Sequence, residues 1–143
     1  MNNLSVNEIE LYLETSLKNL FIFQPNINEF TSQTNQTEWN LAHHYANEVI
    51  KHFTDYNCDL DITKTNFNNR RPDIIIHQRG NNDNNLLVIE IKRNGSESDL
   101  QSDESKIKKY WFSSPLKYKY GAVVNIFTDG RKDRVFVFKN FHY

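Results

Sequence analysis

The chain has 143 residues and a formal net charge of −1; 38% of its residues are hydrophobic and 13% aromatic, so Phe, Tyr and Trp must supply much of the buried area. That length predicts one domain over 1–143, enough chain for one core and too little for two, and the near-neutral balance excludes a histone-like protein that holds nucleic acid by bulk charge. A single cysteine, Cys58, excludes an internal disulfide; no apolar run reaches membrane-spanning length and the first residues lack a secretory pattern, so a soluble, cytoplasmic protein with no membrane partner is expected.

Ser5-Val-Asn-Glu8 has the spacing of a capping box, and Ile9, Leu13, Leu17 and Leu20 follow at helical intervals, which predicts a helix over about 6–20. Residues 21–36 hold Pro25, several Asn and Thr and no sustained period, and read as a connection, so 1–36 is a helix plus linker and 37–143 the core. From Thr37 to Phe53, Leu41, Ala42, Tyr45, Ala46, Val49, Ile50 and Phe53 form one helical stripe. Glu38 projects between Leu41 and Ala42, placing an acid on the inward face; a capping role with Asn35 as N-cap is the structural alternative. His43 and His44 are adjacent, diverge by about 100° on a helix and lack the i, i+4 spacing of a helical metal site. Both are read as surface or flanking histidines.

Cys58 to Lys64 alternates apolar and polar residues as a half-buried strand does, and this alternation alone accounts for Asp59 and Asp61 sharing a face. A polar loop, 65–71, then delivers Arg70 and Arg71. Arg71-Pro-Asp-Ile-Ile-Ile-His77 and Leu86-Leu-Val-Ile-Glu-Ile-Lys92 flank the turn-rich Gly80-Asn-Asn-Asp-Asn-Asn85, and read as two antiparallel strands. Folding the chain about Asn81 to Asp83 sets Asp73 opposite Glu90 or Lys92. Side chains alternate along a strand, so Glu90 and Lys92 share a face, about 6 to 7 Å apart at their α-carbons. Asp73 joins them in either register. Ile74, Ile76, Leu87, Ile89 and Ile91 make the opposite face wholly apolar.

Asn94-Gly-Ser ends the strand, and Ser98-Asp-Leu-Gln101 is read as the box that opens a further helix with Leu100, Ile107, Tyr110 and Trp111 on its buried side. Asp103 and Lys106 sit one turn apart and are expected to pair locally, while Lys106, Lys108 and Lys109 form a basic run. Pro115 stops the helix. Residues 120–127 form a buried strand, Asp129-Gly130 a tight turn and 134–138 its hairpin partner. The strand, crossover helix and return strand should form a right-handed parallel unit. An α/β (α+β) fold follows, a mixed sheet flanked by helices.

Pro72-Asp73, sixteen intervening residues and Glu90-Ile-Lys92, preceded by Glu38 in a helix, resemble the PD-(D/E)xK nuclease superfamily and its restriction-endonuclease-like fold. The likeness runs from Glu38 to about Phe138, and the longer strings 71–80 and 85–92 are similar to small stand-alone bacterial members. The resemblance implies a core of order αβββαβ, with the N-terminal helix and C-terminal strand added to it. It further implies a metal-dependent nuclease that hydrolyses phosphodiester bonds of nucleic acid, DNA first, with Mg²⁺ or Mn²⁺ as cofactor. Asp73 and Glu90 would be ligands, joined by the Ile91 carbonyl and by Glu38 directly or through water. Lys92, with an unperturbed pKa of about 10.4, stays protonated beside two carboxylates and would stabilise the transition state. Arg70, Arg71, Lys106 and Lys109 would contact phosphates, although a solvated helix face explains the lysines as well. Homodimerisation through the first helix and a partner that supplies specificity are further expectations. The rival reading is a catalytically idle nucleic-acid- or protein-binding module of the same fold.

Overall fold

Ser5 and Glu8 close the box their spacing predicts, the Glu8 N–H donating to Ser5 Oγ and the Ser5 N–H to Glu8 Oε2, each at 3.1 Å. Helix α1 follows over Val6–Phe23 and buries Ile9, Leu13, Leu17 and Leu20. A computed structural model describes residues 3–27, 37–60 and 72–143, with the main chain alone at 37–39. Helix α2 spans Thr37–Val49, and a single 3-10 turn, Ile50–His52, carries the stripe on to Phe53. The strands are β1 (Asn57–Leu60), β2 (Ile74–His77), β3 (Leu87–Arg93), β4 (Tyr120–Ile126) and β5 (Arg134–Lys139); helix α3 (Glu97–Lys106), prolonged by a π turn over Ile107–Trp111, lies between β3 and β4. Among the described residues no helix is long and apolar enough to cross a membrane.

The strands form one sheet in the order β1-β2-β3-β4-β5, parallel only between β3 and β4. That pair is joined by α3, because parallel neighbours need a crossover. Among the described residues the chain is thus an α+β structure with a five-stranded mixed sheet and three helices. Ile74, Ile76, Leu87, Ile89 and Ile91 are buried together with Ala122, Val124 and Ile126 under α1 and α2, as the apolar face of the hairpin requires. Tyr45 reaches across from α2 and donates its hydroxyl to the Leu13 carbonyl at 2.9 Å. On the other face Ile75, Val88, Val123 and Phe138 pack against Ile107, Trp111 and Tyr118. In Lys117-Tyr-Lys-Tyr120, basic and aromatic in alternation, Tyr118 and Tyr120 are buried while Lys117 is exposed, the ordinary in-and-out patterning of a chain entering a sheet.

The start of α3 departs from expectation. Ser96, two residues earlier than Ser98, is the N-cap: its Oγ accepts from the Asp99 N–H at 3.1 Å and Asp99 Oδ2 accepts from the Ser96 N–H at 2.9 Å. A charged acid in the first turn also meets the positive end of the helix dipole, an advantage Gln101 lacks. At its far end the helix widens: the Phe112 N–H bonds the Ile107 carbonyl, an i→i+5 bond, at 3.1 Å. Asp103, Ile107 and Trp111 are all buried. In a continuous α-helix each step of four advances by about 40°, so Trp111 would sit about 80° from Asp103. The slower winding of the π turn brings Trp111 back over the sheet.

Candidate active site

Pro72 is buried and leads into β2, whose register with β3 pairs Ile74 with Ile89. One residue beyond that pair Asp73 falls level with Glu90, the first of the two registers the turn allowed. Asp73 Oδ2 accepts the Ile91 N–H at 2.6 Å. A residue in an antiparallel strand turns its N–H and C=O to the same neighbour, so the Ile91 carbonyl lies on the edge of β3 that Asp73 occupies. Glu90 and Lys92 face α3 from the same strand, as their two-residue spacing requires.

Lys92 sits at the strand end, and its surroundings are fixed from the next loop. Asn125 of β4, level with Lys92, accepts the Gly95 N–H at 2.9 Å and donates to the Gly95 carbonyl at 3.0 Å. Asn94, held at φ 52°, adds a second pair with Thr128, donating to Thr128 Oγ1 at 2.8 Å and accepting the Thr128 N–H at 3.0 Å. The loop runs so near the lysine stem that a Cβ on Gly95 would stand 3.2 Å from Lys92 Cβ.

Burial holds the Glu90 carboxyl well above the ordinary carboxylate range; the charges of Asp73 and Asp103 and a hydrogen bond with Asp73 add to this, and Lys92 opposes it. Two carboxyl groups this close share a proton more readily than they both ionise. The native state therefore keeps a proton that the unfolded chain releases above its ordinary 4.5, and stability falls as pH rises from there through the native titration of Glu90. Glu90→Gln is expected to remove that fall and to raise the stability of the protein at neutral pH by about 1 to 2 kcal/mol. Thermal melts of both proteins between pH 4 and pH 8 check this, and parallel pH profiles would refute it.

Asp103 is the acid that the sequence reading left out of the site. Local pairing with Lys106 was expected; that contact exists, at 3.9 Å, but Lys92 Nζ is closer, 3.3 Å from Asp103 Oδ2. Only 3% of Asp103 is exposed, whereas the solvated i, i+3 pair predicted for it would leave it open. The available signal was the stripe: Asp103 is four residues before Ile107, on the buried side of α3.

The remaining predicted residues divide. Glu38 lies in α2, with only its main chain described, and Arg70, Arg71 and Asp61 lie outside the described residues. Lys106 borders the cluster through Asp103, and Lys109 is exposed with its ammonium 5.3 Å from the Tyr110 ring. Lys108 turns elsewhere, to Glu104 at 2.7 Å and over the Phe138 ring, so the basic run is not one surface. Asp59 accepts from Arg79 Nε at 2.9 Å and lies 2.6 Å from His77 Nε2; the Arg79 hydrogen bond leads in lowering its pKa to about 2. It is a structural lock between β1 and β2. His43 is exposed and His44 partly so, their rings edge to face at 5.1 Å.

Among the described residues no three His, Cys, Asp or Glu side chains stand close enough to hold an ion. Two carboxylates at one strand edge, with a carbonyl beside them, are nonetheless the chemistry of a Mg²⁺ or Mn²⁺ site, since Mg²⁺ keeps several waters and takes one or two carboxylates from protein. Comparison with protein-family models, curated proteins and solved structures gives no match.

Proposed function

We propose that the chain is a metal-dependent nuclease of restriction-endonuclease-like fold that hydrolyses phosphodiester bonds, DNA being the first substrate to test. The observation that carries this reading is the convergence of Asp73, Glu90 and Lys92 on one face at the end of an otherwise apolar hairpin. Burying two acids beside one another costs folding free energy, and a binding site for a cation gives that cost a purpose. The element order from α2 to β4, helix, three strands, helix and strand, agrees with the fold proposed.

Asp73 and Glu90 would hold the cation, with the Ile91 carbonyl at the same edge and Glu38 as a further ligand. Bound there, Mg²⁺ or Mn²⁺ would lower the pKa of a water and neutralise charge on the phosphoryl oxygens. Asp73 keeps its orientation through the Ile91 N–H. Holding a cation would require Glu90 ionised, so affinity would rise with pH through its raised titration. The Lys92 ammonium donates hydrogen bonds toward the scissile phosphate and the attacking water. Arg70, Arg71, Lys106 and Lys109 would meet the backbone of the nucleic acid, and a second copy or a separate protein would supply specificity.

Purified protein and its Asp73→Ala variant, incubated with Mg²⁺ or Mn²⁺ and labelled single-stranded, duplex and branched DNA and RNA, test the reading. Metal-dependent cleavage that disappears in the variant is expected. No cleavage of any substrate, together with no calorimetric metal binding, would return the chain to the idle binding module.

A further inference from the structure

Asp103 has no part in the chemistry above, yet it is the least exposed acid among the described residues, and it faces Glu90 and Lys92 from α3. Its Oδ2 accepts no hydrogen bond although Lys92 Nζ is 3.3 Å away, so the contact is one of charge. A buried acid beside Glu90 is favoured by a cation set against it. Lys92 supplies that cation from a side chain 35% exposed, on a stem with several rotatable bonds.

We propose that Asp103 is a positioning residue, which anchors the Lys92 ammonium beside Glu90 and keeps it from swinging into solvent or onto the two carboxylates where a metal would sit. Its effect on turnover rests on the nuclease reading; its hold on Lys92 does not. Three constraints converge on the lysine. Asp103 draws its head toward α3, Gly95 abuts its Cβ and Asn125 fixes Gly95. The π turn contributes from the other end, because with Ile107 and Trp111 both seated in the core α3 cannot roll and carry Asp103 away.

The test is Asp103→Asn, with Asp103→Glu as the conservative variant. Residues that orient a reacting group through one contact typically change activity by about 10- to 100-fold. The expected result is a kcat at least tenfold lower in Asp103→Asn, with KM little changed, and partial recovery in Asp103→Glu, which keeps the charge. The second readout needs no catalysis: the ¹⁵Nζ ammonium resonance of Lys92, assigned by its loss in Lys92→Arg, should stand apart from those of the exposed lysines and join them in Asp103→Asn. A purely structural Asp103 would lower the melting temperature and leave both the kcat of the folded protein and the resonance unmoved, and that result overturns the proposal. Should the wild-type chain cleave nothing, the nuclease reading fails by itself, and the resonance alone upholds or overturns the anchoring.

Discussion

In the nuclease proposed above, Lys92→Ala is expected to lower cleavage by at least about 10²- to 10³-fold, the usual cost of removing one donor aimed at developing charge, and to leave binding of Mg²⁺ or Mn²⁺ in place. The separation follows from where the groups stand. Asp73 is oriented by the Ile91 N–H and Glu90 by its place in β3, so neither depends on the lysine for position. Removing the ammonium also removes the one charge that favours ionised Glu90 and the nearest cation to Asp103. The metal-free variant should therefore melt earlier than wild type, and added cation should recover part of the difference. Calorimetric titration, a melting curve with and without Mn²⁺ and a cleavage assay on one preparation check all three. Turnover near the wild-type rate would remove Lys92 from the chemistry.

Gly121→Ala is expected to be the most damaging of the small substitutions on the sheet. A Cβ at this position in β4 would lie 2.6 Å from Phe138 Cε2 and 2.7 Å from Ile107 Cγ2. Neither neighbour can yield easily. Ile107 is fully buried at the start of the π turn, and the Phe138 ring packs against both Phe112 and Phe136. Overpacking of this kind costs about 3 kcal/mol at the upper end of its usual range, a large part of the 5 to 15 kcal/mol that holds a typical domain together. For a chain of this size that is about 6 to 12 °C in melting temperature. A loss below about 2 °C would mean that α3 does not press on β4 as described. Because α3 carries Asp103, activity should suffer beyond what the unfolded fraction explains.

Much of the architecture was legible because one rule governed each part. The apolar run 74–76, the turn at 80–85 and the run 86–91 could pair in only two ways, and both kept Asp73 on the face of Glu90. The parallel β3 and β4 followed from a helix placed between two buried strands. Three features were not legible, for physical reasons. The start of α3 offered two competing caps, Ser96 with Asp99 and Ser98 with Gln101, and the helix dipole separates them where spacing does not. The basic run at 106–109 is continuous in sequence, but residues two apart on a helix point about 160° from each other, so Lys108 turns to Glu104 and Phe138 while Lys106 borders Asp103. Asp103 was given a local partner because Lys106 is near in sequence, whereas Lys92 is near in space from the neighbouring strand. Burial decided which contact mattered, and burial of one acid on a largely polar helix leaves only a faint mark on a sequence.

The π turn bears on how relatives of this chain are to be recognised. A helix that is α over Glu97–Lys106 and π over Ile107–Trp111 contains one residue more than an uninterrupted α-helix with the same number of turns. A homologue wound as α throughout must lack one residue between Asp103 and Trp111, or else lose the phase between its acid and its aromatic. Aligned without a gap, the two chains would match at one end of this helix and mismatch at the other. Placing a single-residue gap in the turn restores both ends together.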